Sequence, residues 1–280
     1  MPAQPASDGR ARVLLTVDIG NTNIVLGLFD GNRAADVKQR EDAALVHDWR
    51  MRTDARMTAD EMALTVRGLL GEYSRKITGI AALSTVPALL RELKVMVDRY
   101  WPQLPRVIVE PGVRTGVPLL YDNPRELGAD RIVNTLAAYT LYGGPAIVVD
   151  FGTSTNFDVI SERGEFLGGA LAPGIEISID ALATRAAQLL KVQLVRPRSV
   201  IGKSTVEALQ SGLLFGFAGQ VDGLVQRIAT ELAPGAEAEV AVIATGGLAP
   251  LLIAESQTIT HHAPHLTLRG LRMVFDRNIT

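Results

Sequence analysis

The chain has 280 residues, 47% hydrophobic and 21% charged, a composition that suits one large folded domain or two ordinary ones with full cores. A formal net charge of −2 gives no electrostatic footprint for nucleic acid or an anionic membrane, so any contact with phosphate has to be local. With no cysteine, disulfides, thiolate zinc sites and cysteine nucleophiles are excluded.

Met1 to Arg12 is polar, carries Pro2, Pro5 and Gly9, and reads as a disordered N-terminal tail without the apolar core of a signal peptide. No run of the chain is long enough to span a bilayer, so a cytoplasmic protein is expected. Leu15-Thr-Val-Asp18-Ile19-Gly20-Asn21-Thr22-Asn23 is an apolar strand running into Asp-x-Gly and a cluster of small polar residues. A second strand follows, Ile24 to Phe29, ending at the turn Asp30-Gly31. Trp49 to Arg52 reads as a third strand. A helix starts near Thr58, where Thr58 and Glu61 have capping-box spacing and Met62, Val66, Leu69 and Leu70 form an apolar stripe. Thr78 to Leu83 reads as a buried strand, Ala88 to Tyr100 as a helix and Arg106 to Glu110 as another strand.

Ile147-Val-Val-Asp150-Phe-Gly152-Thr153-Ser154-Thr155 then repeats the first device: an apolar strand, Asp-x-Gly, small polar residues, and a second strand from Phe157 to Ile160 that ends at Arg163-Gly164. Gly168 to Gly174, helices over Ile177 to Leu190 and Thr205 to Leu232, a strand over Glu239 to Ala244, Thr245-Gly246-Gly247 and an apolar helix start over Leu248 to Ile253 complete the chain's pattern. The order β-β-β-α-β-α-β occurs twice, which argues for layered α/β structure built by duplication. The two halves are expected over residues 13–130 and 131–280, joined near a helix over Arg131 to Tyr142.

In each hairpin, glycine lets backbone N–H groups approach a ligand, and the Asp is poised to hold a cation rather than the phosphate itself. Between them, Gly128-Ala129-Asp130-Arg131 opens a helix whose first-turn N–H groups and dipole favour anions. There an Asp can accept a proton from a hydroxyl while the neighbouring Arg holds an acidic group. Alone, the segment reads more readily as an ordinary first-turn Asp beside a solvated Arg; the two hairpins reverse that preference in favour of a site. Thr245-Gly246-Gly247 is a tight βα turn that can lie against a base or ribose, although plain turn chemistry is the commoner meaning.

Four further patterns are set aside. Gly202-Lys203-Ser204-Thr205 ends like a P-loop, but Pro197 stands where the leading glycine belongs and no strand precedes it. No Gly-x-Gly-x-x-Gly supports a Rossmann site. His261-His262-Ala263-Pro264-His265 reads as a proline-containing loop without a fourth zinc ligand. Arg50, Arg52 and Arg56 have the sparse spacing of an exposed strand and turn, not of a nucleic-acid patch.

Asp18 to Asn23, Gly128 to Arg131, Asp150 to Thr153, Gly168 to Gly174 and Thr245 to Gly247 stand in the order and spacing that resemble the type III pantothenate kinases, from about Leu14 onward. The resemblance implies a fold of two duplicated ribonuclease H-like domains, of the acetate and sugar kinase, heat-shock and actin superfamily. It also implies transfer of the γ-phosphoryl group of ATP to pantothenate, the first step towards coenzyme A. On that likeness, Asp18, Ile19, Gly20, Asn21, Thr22, Asn23, Ile24 and Val25 match the first phosphate loop, with Asp18 helping to hold Mg²⁺, and Thr153 matches the second phosphate contact. Asp150 matches the site of a monovalent cation, K⁺ or NH₄⁺. Asp130 matches the general base. Gly128, Ala129, Asp130 and Arg131 match the pantothenate site, together with Tyr121 and with Thr205, the latter supplied by the partner of a homodimer. Ser154 and Asn156 depart from the Ala and Thr frequent there, a change expected to tune rather than abolish the loop. Two other readings stand beside this one: a kinase of the same superfamily with a different acceptor, and a non-catalytic regulator.

Overall fold

The computed structural model describes residues 13–30, 45–185 and 192–279. The N-terminal tail, Gly31 and the last part of the helix expected to reach Leu190 lie outside the described residues. The chain forms two compact units, residues 13–114 with 271–279, and residues 115–270.

The first unit holds strands β1 (Val13–Ile19), β2 (Asn23–Asp30) and β3 (Leu45–Arg52), helix α1 (Ala59–Leu70), strand β4 (Ile77–Ser84), helix α2 (Pro87–Tyr100) and the short strand β5 (Arg106–Ile108). Its sheet order is β3-β2-β1-β4-β5, antiparallel from β1 through β3 and parallel from β1 through β5. Alternation along a strand sends neighbouring side chains to opposite faces. Leu15, Val17 and Ile19 of β1 and Ile24, Leu26 and Leu28 of β2 therefore pack in one core with Met62, Val66 and Leu70 of α1 and Leu89, Leu93 and Met96 of α2. Asp18 is left on the opposite face. The capping box expected at α1 is present: Thr58 Oγ1 accepts from the Glu61 N–H, and the Thr58 N–H donates to Glu61 Oε2 at 2.9 Å.

The second unit holds helix α3 (Ala129–Tyr142), strands β6 (Ala146–Phe151), β7 (Ser154–Ile160) and β8 (Phe166–Pro173), helices α4 (Ile175–Arg185) and α5 (Thr205–Leu232), strand β9 (Ala241–Thr245), helix α6 (Ala249–Ile253) and strand β10 (His261–His262). Helix α7 (Leu266–Asn278) begins in this unit, and its residues from Leu271 on group with the first. The sheet order is β10-β9-β6-β7-β8, which is the first sheet's order strand for strand, with the same pattern of parallel and antiparallel pairs. The duplication expected from the two hairpins is thus built into both sheets. Ile147, Val149, Phe151 and Phe157 face a core shared with Ile175 and Ile179 of α4 and Leu214, Val221 and Val225 of α5, while α3 contacts β6 and β7. No helix among the described residues is long and apolar enough to cross a membrane.

The structure moves some boundaries. The third strand begins at Leu45, four residues before Trp49, because pairing with β2 continues to Phe29 opposite Leu45. Glu239 closes a 3₁₀ turn instead of starting a strand. His261 and His262 form an edge strand against β9 where a loop was expected, with the His261 ring tilted against Tyr142 at 4.7 Å between centres. Gly202 to Thr205 is the start of α5: Ser204 is the N-cap, and the Lys203 N–H donates to Glu207 at 3.1 Å.

Candidate active site

In the first unit the hairpin turn Gly20-Asn21-Thr22 is held from both sides. The Gly20 N–H donates to the Asn23 carbonyl at 2.9 Å, Thr53 Oγ1 donates to the Gly20 carbonyl at 2.7 Å, and the Thr53 N–H donates to the Thr22 carbonyl at 3.0 Å. On the other flank the Thr85 N–H and hydroxyl both donate to the Ile19 carbonyl, at 2.9 and 3.3 Å. With the Gly20 and Thr22 carbonyls committed, the turn presents Asn21 and Thr22 to solvent and leaves Asn23 half-buried. Asp18 is half-buried and paired across the sheet with Val25, which lies on its face. Ile19 and Ile24 turn their side chains into the core, so only their backbone is available to a ligand.

The second hairpin repeats the geometry in less space. The Gly152 N–H donates to the Ser154 carbonyl at 3.0 Å, and Thr153 is exposed at the tip. Ser154 Oγ donates to Asn156 Oδ1 at 2.7 Å, so the two residues that depart from the family pattern are bonded to each other. A Cβ at Gly174 would collide with the Thr153 carbonyl. At Gly246, where φ is +90°, a Cβ would lie 2.6 Å from both Asp150 Oδ1 and the Phe151 carbonyl. Thr245-Gly246-Gly247 therefore lies against the Asp150 carboxylate, a position that sequence alone did not give it.

Asp150 shares its face of the sheet with Asp158, since Asp158 pairs with Val148, two residues from Asp150 along β6. Helix α3 contacts the same two strands and contributes Asp130 and Arg131 from its first turn. Gly128 is the N-cap, and Ala129 the first helical residue. A Cβ on Gly128 would collide with Asp130 Oδ1, so the carboxylate folds back over the glycine. Burial pushes the Asp130 carboxyl up from its ordinary value, against N–H donation from Arg131 and from its own backbone and the Arg131 charge. Arg131 is buried and pairs instead with Asp158, Nε to Oδ1 at 2.6 Å. Its guanidinium lies 5.2 Å from the Phe166 ring centre, and Phe166 meets Tyr121 edge-on at 5.7 Å. Segment 118–121 is tied to β8 by the Leu120 N–H to the Phe166 carbonyl and the Phe166 N–H to the Pro118 carbonyl, both 2.9 Å.

The second unit therefore gathers Tyr121, Gly128, Ala129, Asp130, Arg131 and Asp150 around one patch. Asp150 is pushed up to about 7 by burial and then by the neighbouring Asp130 and Asp158 charges. Asp158 is also pushed up to about 7 by burial, with Arg131 opposing. Thr205 is exposed on the first turn of α5, outside this group. Sequence reasoning passed over Asp158 and Phe166; the available signal was a charged residue in the middle of an otherwise apolar strand, Phe157-Asp158-Val159-Ile160.

Two sheets of one topology, each ending its first strand in Asp-x-Gly at a tight hairpin, define a fold of two duplicated ribonuclease H-like domains. Solved structures share the fold. A Campylobacter jejuni protein described as a Baf family transcriptional activator has TM-score 0.57 and 20% identity over 95% of this chain and 98% of its own. The activator of 2-hydroxyisocaproyl-CoA dehydratase from Clostridium difficile, with bound ADPNP, has TM-score 0.52 and 11% identity over 95% and 96%.

A sequence model of the type III pantothenate kinase family matches residues 14–227. A type III pantothenate kinase from Saccharopolyspora erythraea is 68% identical over 266 residues, 95% of this chain and 99% of its own. The chain belongs to the type III pantothenate kinase family. It is a phosphotransferase, and its reaction is the phosphorylation of pantothenate in coenzyme A biosynthesis.

Proposed function

We propose that Asp130 is the general base of this reaction and that Gly128 to Arg131 with Tyr121 line the acceptor site. One observation carries the reading: a desolvated carboxylate stands in the first turn of α3 beside an arginine whose charge is committed to a different carboxylate. Asp130 would accept the proton of the pantothenate hydroxyl as its oxygen bonds to the γ-phosphorus of ATP and the bond from that phosphorus to the β,γ-bridging oxygen breaks. An alcohol of pKa ~15–16 releases its proton late, so the carboxylate chiefly orients the nucleophile.

Asp18 and the segment Asn21 to Asn23, with Thr153, would receive the nucleotide phosphates. The divalent and monovalent cations supply neutralisation of charge on the transferred group. Asp18 fits the first of these, being half-buried on the face of its sheet away from α1 and α2. Asp150 fits K⁺ or NH₄⁺: it is crowded by like charges, and glycine at position 246 keeps its oxygen clear of any side chain. A homodimer in the cytoplasm, with Thr205 completing the partner's acceptor site, accords with exposed Leu171, Ile177, Leu182, Val200, Ile201 and Val206 in the second unit.

ADP release with ATP, Mg²⁺ and pantothenate, with and without K⁺, tests the assignment in the wild type and Asp130→Asn. Turnover that requires pantothenate and K⁺ and collapses in the variant supports it; an Asp130→Asn protein with wild-type kcat overturns the base.

A further inference from the structure

Arg131 sits in a confined setting. Only 9% of the residue is exposed, yet its single hydrogen bond as a side-chain donor among the described residues is from Nε to Asp158. An arginine carries five N–H donors, and its Nη groups are neither bonded within the described residues nor sealed off from solvent. Its two Nη groups are thus held ready for an anion. Three features fix where they point. The Phe166 ring lies 5.2 Å from the guanidinium carbon. Gly169, opposite Asp158 in the sheet, gives room: Nη2 would stand 3.4 Å from a Cβ there, and that Cβ would itself collide with the Phe157 carbonyl. Asp158 holds the Nε edge from the middle of β7, with its side chain 1% exposed and Oδ2 without a hydrogen-bond partner among the described residues.

A carboxylate buried this deeply and bonded through one oxygen is a poor choice for stability alone. The alternative partner for Arg131 is Asp130, its neighbour in the chain. Pairing there would turn the Nη donors away from the acceptor and occupy the carboxylate that is needed free. From this geometry we infer that Asp158 is a positioning residue: it takes the Nε edge of Arg131, keeps the guanidinium off Asp130, and aims both Nη groups at the acidic end of the acceptor. The inference rests on the reading of Gly128 to Arg131 as the acceptor site and deepens it by one residue that touches no substrate.

Steady-state kinetics of the wild type, Asp158→Asn, Arg131→Gln and the double variant test it, with each variant's fold checked by circular dichroism. Loss of one charge-assisted hydrogen bond predicts a rise of about 10- to 100-fold in the pantothenate KM of Asp158→Asn, with the ATP KM within about twofold of wild type. Since Asp158 acts only through Arg131, the double variant should be no worse than Arg131→Gln alone, within about twofold. The double variant removes both buried charges, so it carries the test if Asp158→Asn does not fold. Equal shifts in both KM values, an unchanged pantothenate KM in folded Asp158→Asn, or losses that multiply in the double variant overturn the role of Asp158 while leaving the acceptor site in place. A wild type that turns over no pantothenate, or an Arg131→Gln protein with unchanged pantothenate KM, overturns the acceptor assignment and the inference with it.

Discussion

The two hairpins share strand order, antiparallel pairing and an Asp one residue before the last of the first strand, yet their registers differ by one residue and their surroundings differ more. The first turn has three residues between its strands, with side chains of Asn21 and Thr22 in solvent, and it is held by hydroxyls from Thr53 and Thr85. The second has two, and it is wedged by Gly174 and Gly246 beside a carboxylate pushed up to about 7. The added elements account for the contrast. In the second unit, segment 118–121 and helix α3 bring an aromatic wall, Asp130 and Arg131 to the face of the sheet that carries Asp150 and Asp158. A duplicated backbone fixes where a carboxylate stands; what crowds it decides what it can do.

The largest effect expected from breaking this contrast is at the base. Asp130→Asn keeps the shape and should lower kcat by about 10²- to 10⁴-fold in an ADP-release assay, with the ATP KM little changed. Gly128→Ala comes next, because its Cβ would take the space of the carboxylate oxygen; displacement of a reacting group by about an ångström predicts a loss of order 10²-fold in kcat/KM.

The glycines of the two turns separate the hairpins on stability. Gly246→Ala, at φ +90° and against Asp150 and Phe151, should cost about 1–3 kcal/mol or more by denaturant unfolding, in line with left-handed strain plus collision. Gly20→Ala meets only the Asn23 carbonyl at 3.1 Å with no unusual φ, and should cost less. Equal costs would mean that the two turns are packed alike.

Thr53→Val tests the first hairpin alone. It removes a donor to the Gly20 carbonyl, worth about 0.5–1.5 kcal/mol, and should raise the ATP KM a few-fold while the pantothenate KM stays put.

The smallest effect concerns pH. Asp150 and Asp158 have folded-state values raised to about 7, above their ordinary value, so the contribution of each to stability is complete at acid pH and is lost as pH rises through about 7. Without cations that fit the site, Tm should therefore fall between about pH 5 and about pH 8. K⁺ should recover part of that loss at the alkaline end, where tetramethylammonium should not. A K⁺ effect that is larger at pH 5 than at pH 8 would show that the cation is not meeting these carboxylates.

Much of this was legible from local pattern. Asp18-x-Gly20 and Asp150-x-Gly152 announced the hairpins, Thr58 with Glu61 the start of α1, and Gly128 the start of α3, because turns and caps depend on a few neighbouring residues. The start of β3 was missed because pairing with β2, not its own residues, extends it to Leu45. Thr245-Gly246-Gly247 looked like a turn for a base or ribose, and only the parallel register of β6 with β9 puts Gly246 beside Asp150.

By itself, then, the sequence determined the duplicated strand pattern, the family and the identity of Asp18, Asp130 and Asp150, all of which are written in short contiguous motifs. The tertiary structure alone decided the company those residues keep. Asp158 is 27 residues from Arg131 in the chain. Sheet register and the docking of α3 bring the two within hydrogen-bonding distance, and burial there sets the ionisation of the carboxylates around them. Long-range pairing and desolvation are properties of packed elements, and no local run of residues encodes them.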